Sequence, residues 1–442
     1  MAMIVEQRLA SADAFKIAGV MSGVIAVAFA ATVVAIAGTF NFMHILLTAL
    51  AVVLSVRVYR HPEEAIAAGP LFLLASNVFL PSSARVNAEI RPWEMYYWAV
   101  GIFLITGAAC WRLGCRVLFE LPRSLQVFLL VAIAASVYGF THGSEPSYVL
   151  RQLYGSLLLG AYFALGLHSM GEASFLRVLR PYGVACALAF LVYYAFLFGE
   201  LGVHKEMSSL GTQAAMLAIL FAVRGGWKWW LAAGIMLLVP LLLVERRGLA
   251  GFTLAMVLMW AFRAKSRALR TGSWLLAGVI VVVSLAPPYV GMILDTLTGS
   301  STFDELIPEG SRDESTVQER GAQLAQASVA LQRSPVFGSG MGAVFDWESP
   351  VQGQVATAYV DNGWAYLLTK TGLAGLLAFG WFVVTLITWM PGSSVPIRVC
   401  LLSVLLLVMF AEPVFFHFST SPFVGAMAGL VYAKRRGLSA ES

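Results

Sequence analysis

The chain has 442 residues, of which 59% are hydrophobic and only 12% charged, and its mean hydropathy is +0.79. Soluble proteins carry about 25% charged and about 45–50% apolar residues, so this composition excludes a soluble globular protein. The formal charge of +5 does not indicate nucleic-acid binding, because Lys and Arg accumulate in the cytoplasmic loops of membrane proteins. We therefore expect an all-α, polytopic integral membrane protein in a lipid bilayer.

Apolar runs of about 20 residues, the length that crosses a bilayer, recur along the chain. The first run follows Arg8 and Lys16 and is longer than the roughly 7–15-residue apolar region of a signal peptide, so we interpret it as a retained helix. About fourteen transmembrane helices are predicted, with twelve as the alternative count. The predicted spans are 17–38, 40–56, 63–80, 94–111, 124–140, 152–170, 181–199, 209–223, 229–245, 248–262, 271–290, 358–388, 396–412 and 417–433.

One long polar segment, 291–357, remains outside the predicted spans. It divides a single membrane domain into helices 1–11 over residues 1–290 and helices 12–14 over residues 358–442. The loop itself is expected to be partly helical, because Ser315 and Gln318 have the spacing of a capping box. Pro335 is the predicted end of that helix.

Three glycines alternate in the segment VFGSGMG, at positions 338, 340 and 342. Glycine tolerates backbone conformations and close contacts that other residues do not. The pattern is therefore typical of a tight turn whose backbone approaches another group closely, and a plain surface turn is an equally good interpretation.

The distribution of Lys and Arg among the connections predicts the orientation of the chain. With both termini in the cytoplasm, all but ten of the 29 basic residues lie on the cytoplasmic side, as the positive-inside rule requires. The large loop is then external, which for a bacterial inner membrane means periplasmic. The external cations are Arg85, Arg91, Arg151, Lys205, Arg246, Arg247, Arg312, Arg320, Arg333 and Lys370, the last of them near a helix end.

Two of these cations, Arg246 and Arg247, lie between two apolar helices that are too closely spaced for a real loop. Placing charged arginine side chains at such a position in a membrane costs free energy unless they have anionic partners. Guanidinium groups bind phosphate oxygens in a bidentate manner, so the pair is a candidate phosphate clamp. Alternatively, Glu245 neutralises one arginine and the other extends to the membrane surface.

The end of the loop supplies a second candidate, Asp361 followed by Asn362. At the start of a helix these residue types serve as caps, and they are also suited to orienting or deprotonating a substrate hydroxyl. Arg320, next to Glu319 in the predicted loop helix, is either a binding residue or part of a solvated ion pair. Lys205 and Arg151 are further external cations for which interfacial snorkelling is the alternative.

The scattered histidines do not have metal-ligand spacing, so no metal is assigned. Those considered are His142, His168 and His417. No cofactor is expected either.

Three segments resemble, in order, the shared membrane domain of bacterial O-antigen ligases and Wzy-type polysaccharide polymerases. LLLVERRGLAGFTLAMVLMWAF is similar to the S-R-G segment, with Arg247 at the arginine and Arg246 where serine is usual. ERGAQLAQASVALQRSPVFGSGMG is similar to the loop segment that ends in P-x-x-G-x-G. VDNGWAYLLTKTGLAG follows the pattern H-N, nine residues and G-x-x-G, with Asp361 in place of histidine.

The resemblance implies a GT-C-like, metal-independent membrane glycosyltransferase that acts on undecaprenyl-diphosphate-linked glycans. It implies catalytic roles for Arg247, Asp361 and Asn362. Substrate-binding roles are expected for Arg246, Arg320, Lys205 and Arg151. Lys205 corresponds only loosely to a family arginine that precedes a G-t-x-x-N segment.

Asp361 in place of histidine favours a polymerase of lipid-linked repeat units over a ligase that transfers glycan to lipid A core. A lipid-linked oligosaccharide flippase is the alternative from another class, but that class predicts two related halves with interrupted helices. A chain-length regulator is a candidate partner. The sugar, the linkage, the acceptor and the oligomeric state are left open.

Overall fold

The computed structural model describes residues 42–79, 92–114, 120–168, 171–197, 208–242, 246–281, 327–349, 353–357, 360, 362–410, 413–417 and 420–437. Helices dominate these residues, as expected for an all-α membrane protein. A helix overlaps each predicted span from 40–56 onward. The first predicted span lies outside the described residues.

The helices differ from the predicted spans mainly at their ends, where polar residues extend several of them. In chain order they are α1 (Phe42–Arg60), α2 (Ala65–Phe79), α3 (Pro92–Leu113), α4 (Arg123–Thr141), α5 (Pro146–His168), α6 (Glu172–Leu197), α7 (Ser208–Arg224), α8 (Trp227–Leu242), α9 (Arg246–Arg263), α10 (267–281), α11 (327–333), α12 (Gly363–Trp389), α13 (Val395–Leu406) and α14 (Ser421–Arg435).

By length and composition, two of the described helical stretches are long and apolar enough to cross a membrane. These are α4 and the stretch Gly363–Gly392, which contains α12. A third is added if α5 and the first part of α6, which meet at a bend of 117°, are counted as one span. Other apolar helices are shorter, so the count of about fourteen spans, the orientation and the division at 290 and 357 stay predictions.

The loop contains structure that the sequence did not predict. Strands β1 (Phe345–Ser349) and β2 (Gly353–Thr357) form an antiparallel hairpin, with Phe345 opposite Thr357 and Ser349 opposite Gly353. Before it, α11 ends just ahead of Pro335, as predicted for the loop helix. The start of that predicted helix, with its capping box, lies outside the described residues.

Helices α5 and α14 pack backbone to backbone through glycines. A β-carbon at Gly425 would lie 2.6 Å from the carbonyl oxygen of Leu159, and one at Gly429 would lie 2.1 Å from that of Phe163. The order of these contacts along both helices means that the two helices run in the same direction. Gly425 and Gly429 form a GxxxG spacing, which permits such close approach inside a membrane.

Helix α12 is broken at Gly372, which has φ 62° and ψ −159°. This backbone conformation is essentially restricted to glycine. In a regular helix the N–H groups of Leu373 and Ala374 would bind carbonyls of the preceding turn; here they donate to Pro335 (2.9 Å) and Val336 (3.2 Å). The loop segment after α11 therefore replaces one turn of α12 hydrogen bonds, as an interrupted helix requires in a membrane.

The alternating glycines sit inside this junction. The Ser339 N–H donates to the Thr369 carbonyl (2.7 Å), which the break leaves without its usual helical partner. A β-carbon at Gly340 would lie 2.6 Å from the Cα of Gly139 in α4. Gly342 donates its N–H to the buried side chain of Gln152 in α5 (2.7 Å). The expectation of a turn in close backbone contact is confirmed, and the plain surface turn is wrong.

An aromatic cluster lies between α4, α12 and the segment that precedes α14. Its centre is the fully buried ring of Phe379 in α12. Ring centroids lie 4.9 Å away at Phe416, 5.1 Å at Phe415, 5.4 Å at Phe128 and 6.0 Å at Trp364. Aromatic pairs at such distances add to the stabilisation from area burial alone, so this cluster holds α12 against its neighbours on both sides of the break.

We predict that Gly372→Ala destabilises the protein by about 3 kcal/mol, from the strained backbone and the crowding together. A β-carbon at Gly372 would lie 2.4 Å from the carbonyl oxygen of Val336. Gly380→Ala is the matched control in the same helix, because a β-carbon there meets nothing within 4 Å. Thermal unfolding in detergent should show a lower midpoint for Gly372→Ala only. Equal midpoints for both variants would contradict the structural role of the break.

Candidate functional site

The starts of α9 and α12 pack against one short 3-10 turn, Val408–Phe410, which follows α13. A β-carbon at Gly251, in α9, would lie 3.3 Å from a methyl group of Val408. One at Gly363, the first residue of α12, would lie 2.5 Å from the sulfur of Met409. The turn thus brings together the helix starts that carry two of the three family-like segments.

The predicted arginines lie in the first turn of α9. Arg246 and Arg247 begin the helix, one turn before Gly251, and Gly248 is buried beside them. The backbone therefore directs these residues to the same end of the molecule as the start of α12. The structure describes their backbone alone, so the role of their guanidinium groups stays a prediction.

Asn362 is the N-cap of α12 and is 3% exposed. Its Oδ1 accepts hydrogen bonds from the N–H groups of Trp364 (2.9 Å) and Ala365 (3.0 Å). Its carbonyl accepts from the Tyr366 N–H (2.7 Å). The capping interpretation of this residue is therefore confirmed, and Asn362 can act on its predecessor Asp361 by fixing where the chain enters the helix.

Three predicted site residues lie outside the described residues: Asp361, Arg320 and Lys205. Their proposed roles are not tested by the structure. Among the residues that are described, no group of three or more His, Cys, Asp and Glu side chains forms a candidate metal site.

Arg151 lies in the second turn of α5, and its charge interacts with two groups that the sequence did not single out for chemistry. These are Tyr366, in the first turn of α12, and His417, in the segment before α14. Phe416 stacks on the Tyr366 ring with a centroid distance of 5.4 Å and an angle of 7°. Arg151 therefore interacts electrostatically with the first turn of the helix that Asn362 caps. The four-residue spacing of Asn362 and Tyr366 is the sequence signal that places both on one face.

Lys370, which the sequence assigned to a helix end, lies inside α12 just before the break and is fully buried. Its Nζ donates a hydrogen bond to the carbonyl of Ala343. The ammonium group also lies 4.3 Å from the centroid of the Phe345 ring, a cation–π distance. Lys370 therefore joins the base of the hairpin to α12.

We predict that Asn362→Asp keeps the stability of the protein, whereas Asn362→Ala lowers it by about 1 kcal/mol, because Asp caps helices as well as Asn does and Ala does not. Thermal unfolding of both variants in detergent measures this. If both variants keep full stability, the cap does not contribute. Comparing their activities then separates capping from any chemical role of the amide.

Part of the chain matches a known protein family. Residues 231–380 match the family model described as O-antigen ligase. The match runs from α8 to Gly380, in the part of α12 that follows the break. It therefore includes the first turn of α9, the hairpin and the break at Gly372. It confirms the resemblance found in the three sequence segments. No curated protein matches the chain.

Members of the matched family are glycosyltransferase-like ligases and polymerases with lipid-linked glycan substrates, and the match supports this class of activity without distinguishing the two. The apolar helices and the family match together indicate a membrane protein.

Proposed function

We propose that this protein polymerises undecaprenyl-diphosphate-linked oligosaccharide repeat units into a polysaccharide, a proposal supported by the match of residues 231–380 to the O-antigen ligase family model. The product class is an exopolysaccharide, a capsule or an O-antigen. The reaction takes place at the periplasmic face of the bacterial inner membrane, with both termini in the cytoplasm. It uses neither a metal nor a cofactor.

In the proposed reaction, a hydroxyl at the non-reducing end of an incoming repeat unit attacks the reducing-end sugar of the growing chain. A new glycosidic bond forms as the bond between that sugar and the diphosphate breaks. Undecaprenyl diphosphate leaves with the electron pair, and the hydroxyl proton passes to Asp361 or to water. An aspartate with an ordinary pKa of about 3.9 is a weak base, so orienting the hydroxyl is its larger role.

The leaving group gains negative charge in the transition state. Arg247 would stabilise this charge electrostatically, and fixed charges are most effective where water is excluded. Arg246 adds to this electrostatic stabilisation of the leaving group. Arg320, Lys205 and Arg151 contact the phosphates or the glycan. Asn362 holds the start of α12 and thereby positions Asp361.

The observation that carries the proposal is the common packing of two helix starts on the turn Val408–Phe410. One start belongs to the segment with Arg247 and the other to the segment with Asn362, and both lie within the residues that match the family. Polymerase is favoured over ligase by Asp361, which stands where ligases of this family have histidine. A flippase would need neither segment.

We predict that Arg247→Ala lowers polymer formation at least a hundredfold, which corresponds to about 3 kcal/mol of transition-state stabilisation. Arg267→Ala is the matched control, an exposed arginine at the start of α10. Both proteins should accumulate in the membrane to the same level. Normal polymer length with Arg247→Ala would refute the phosphate-clamp role.

The protein reconstituted with a lipid-diphosphate oligosaccharide distinguishes the three functions. A ladder of products that differ by one repeat unit is expected. Transfer of glycan only when a lipid A core acceptor is added would identify a ligase instead. Movement of the lipid-linked substrate across the bilayer without any new glycosidic bond would identify a flippase.

A further inference from the structure

A buried hydroxyl without a hydrogen-bond partner lies at the start of α12. Tyr366 is 4% exposed, and its Oη has no hydrogen-bond partner among the described residues. Buried phenol groups normally have a partner, because an unsatisfied one loses its hydrogen bonds to water. A position of this kind is expected where a ligand supplies the missing acceptor.

The rest of the Tyr366 side chain is held firmly. Its ring lies parallel to that of Phe416, and Phe416 in turn packs on Phe128 and Phe379 with centroid distances of 5.5 Å and 4.9 Å. The Tyr366 N–H is bound to the Asn362 carbonyl. The direction of the hydroxyl is therefore set before any ligand arrives, which limits the entropy that binding costs.

Two features make the surroundings of this hydroxyl favourable for negative charge. The charge of Arg151 acts on Tyr366 and on His417, the residue that follows Phe416 in the chain. Tyr366 also lies in the first turn of α12, where the helix dipole presents its positive end. A phenol donates its strongest hydrogen bonds to anionic oxygens. A phosphate oxygen fits this combination better than a neutral sugar hydroxyl does.

We propose that Tyr366 is a ligand-binding residue that donates its hydroxyl hydrogen bond to a diphosphate oxygen of the lipid-linked substrate, and that the charge of Arg151 favours the same anion. The inference deepens the proposed function and rests on it, since it names the part of the donor that this helix start holds. No covalent step is involved, and the diphosphate is held by charge and by one directed hydrogen bond.

The test is the binding of undecaprenyl diphosphate, without a glycan, to the full-length protein in lipid nanodiscs. Tyr366→Phe removes only the hydroxyl and keeps the stack on Phe416. We expect it to weaken binding about tenfold, the contribution of one hydrogen bond to a charged group. Its thermal unfolding midpoint should be unchanged or raised, because an unsatisfied buried hydroxyl is removed. Arg151→Ala should weaken binding at least as much.

Tyr432→Phe is the matched control, a tyrosine near the far end of α14 whose ring packs on Trp389 (4.4 Å). It should bind the lipid diphosphate as the unchanged protein does. The inference is overturned if Tyr366→Phe binds normally, if both tyrosine variants lose affinity equally, or if the unchanged protein does not bind. It is also overturned if Tyr366→Phe weakens binding only of the glycan-bearing lipid, which would indicate contact with a sugar hydroxyl.

Failure of the proposed function gives a different result. In that case the unchanged protein binds undecaprenyl diphosphate, and Tyr366→Phe weakens the binding, but no ladder of polymer forms on reconstitution. The diphosphate site would then stand, and the reaction would need a new assignment.

Discussion

The backbone hydrogen bonds that α12 gives up at Gly372 are the constraint on which the loop segment and the start of α12 depend. A helix interrupted inside a membrane must find other partners for its exposed N–H and C=O groups. Here the segment after α11 provides them, because Leu373 and Ala374 donate to it and Thr369 accepts from it. The break and the loop segment are therefore one structural unit, although the hairpin lies between them in the sequence.

This unit determines how the candidate site is built. The part of α12 before the break is short and carries a cap at Asn362, a buried phenol at Tyr366 and a buried ammonium at Lys370. The cap fixes the start of the helix, the phenol interacts electrostatically with Arg151, and the ammonium joins the hairpin to the helix. The aromatic cluster around Phe379 packs against this short piece, so its polar groups stay in place without a long helix to support them.

The sequence was sufficient to predict most helices, because long apolar runs have few alternatives in a membrane. It also predicted the close turn at Gly340 and the candidate cap at Asn362, which depend on local chemistry. It did not predict the hairpin: β1 alternates between apolar and polar residues from Phe345 to Glu348, but β2, Gly353–Thr357, does not. Nor could the sequence predict the electrostatic interaction between Arg151 and Tyr366, because these residues are far apart in the chain and the interaction has no local signature.

The glycine contacts between α5 and α14 have a consequence for motion. With backbones this close, the two helices cannot slide or rotate past each other without a clash, so they form a single stiff frame. Arg151, on α5, and His417, just ahead of α14, are then kept at a constant separation. In the proposed reaction, a movement that admits the glycan would therefore involve elements other than this pair of helices.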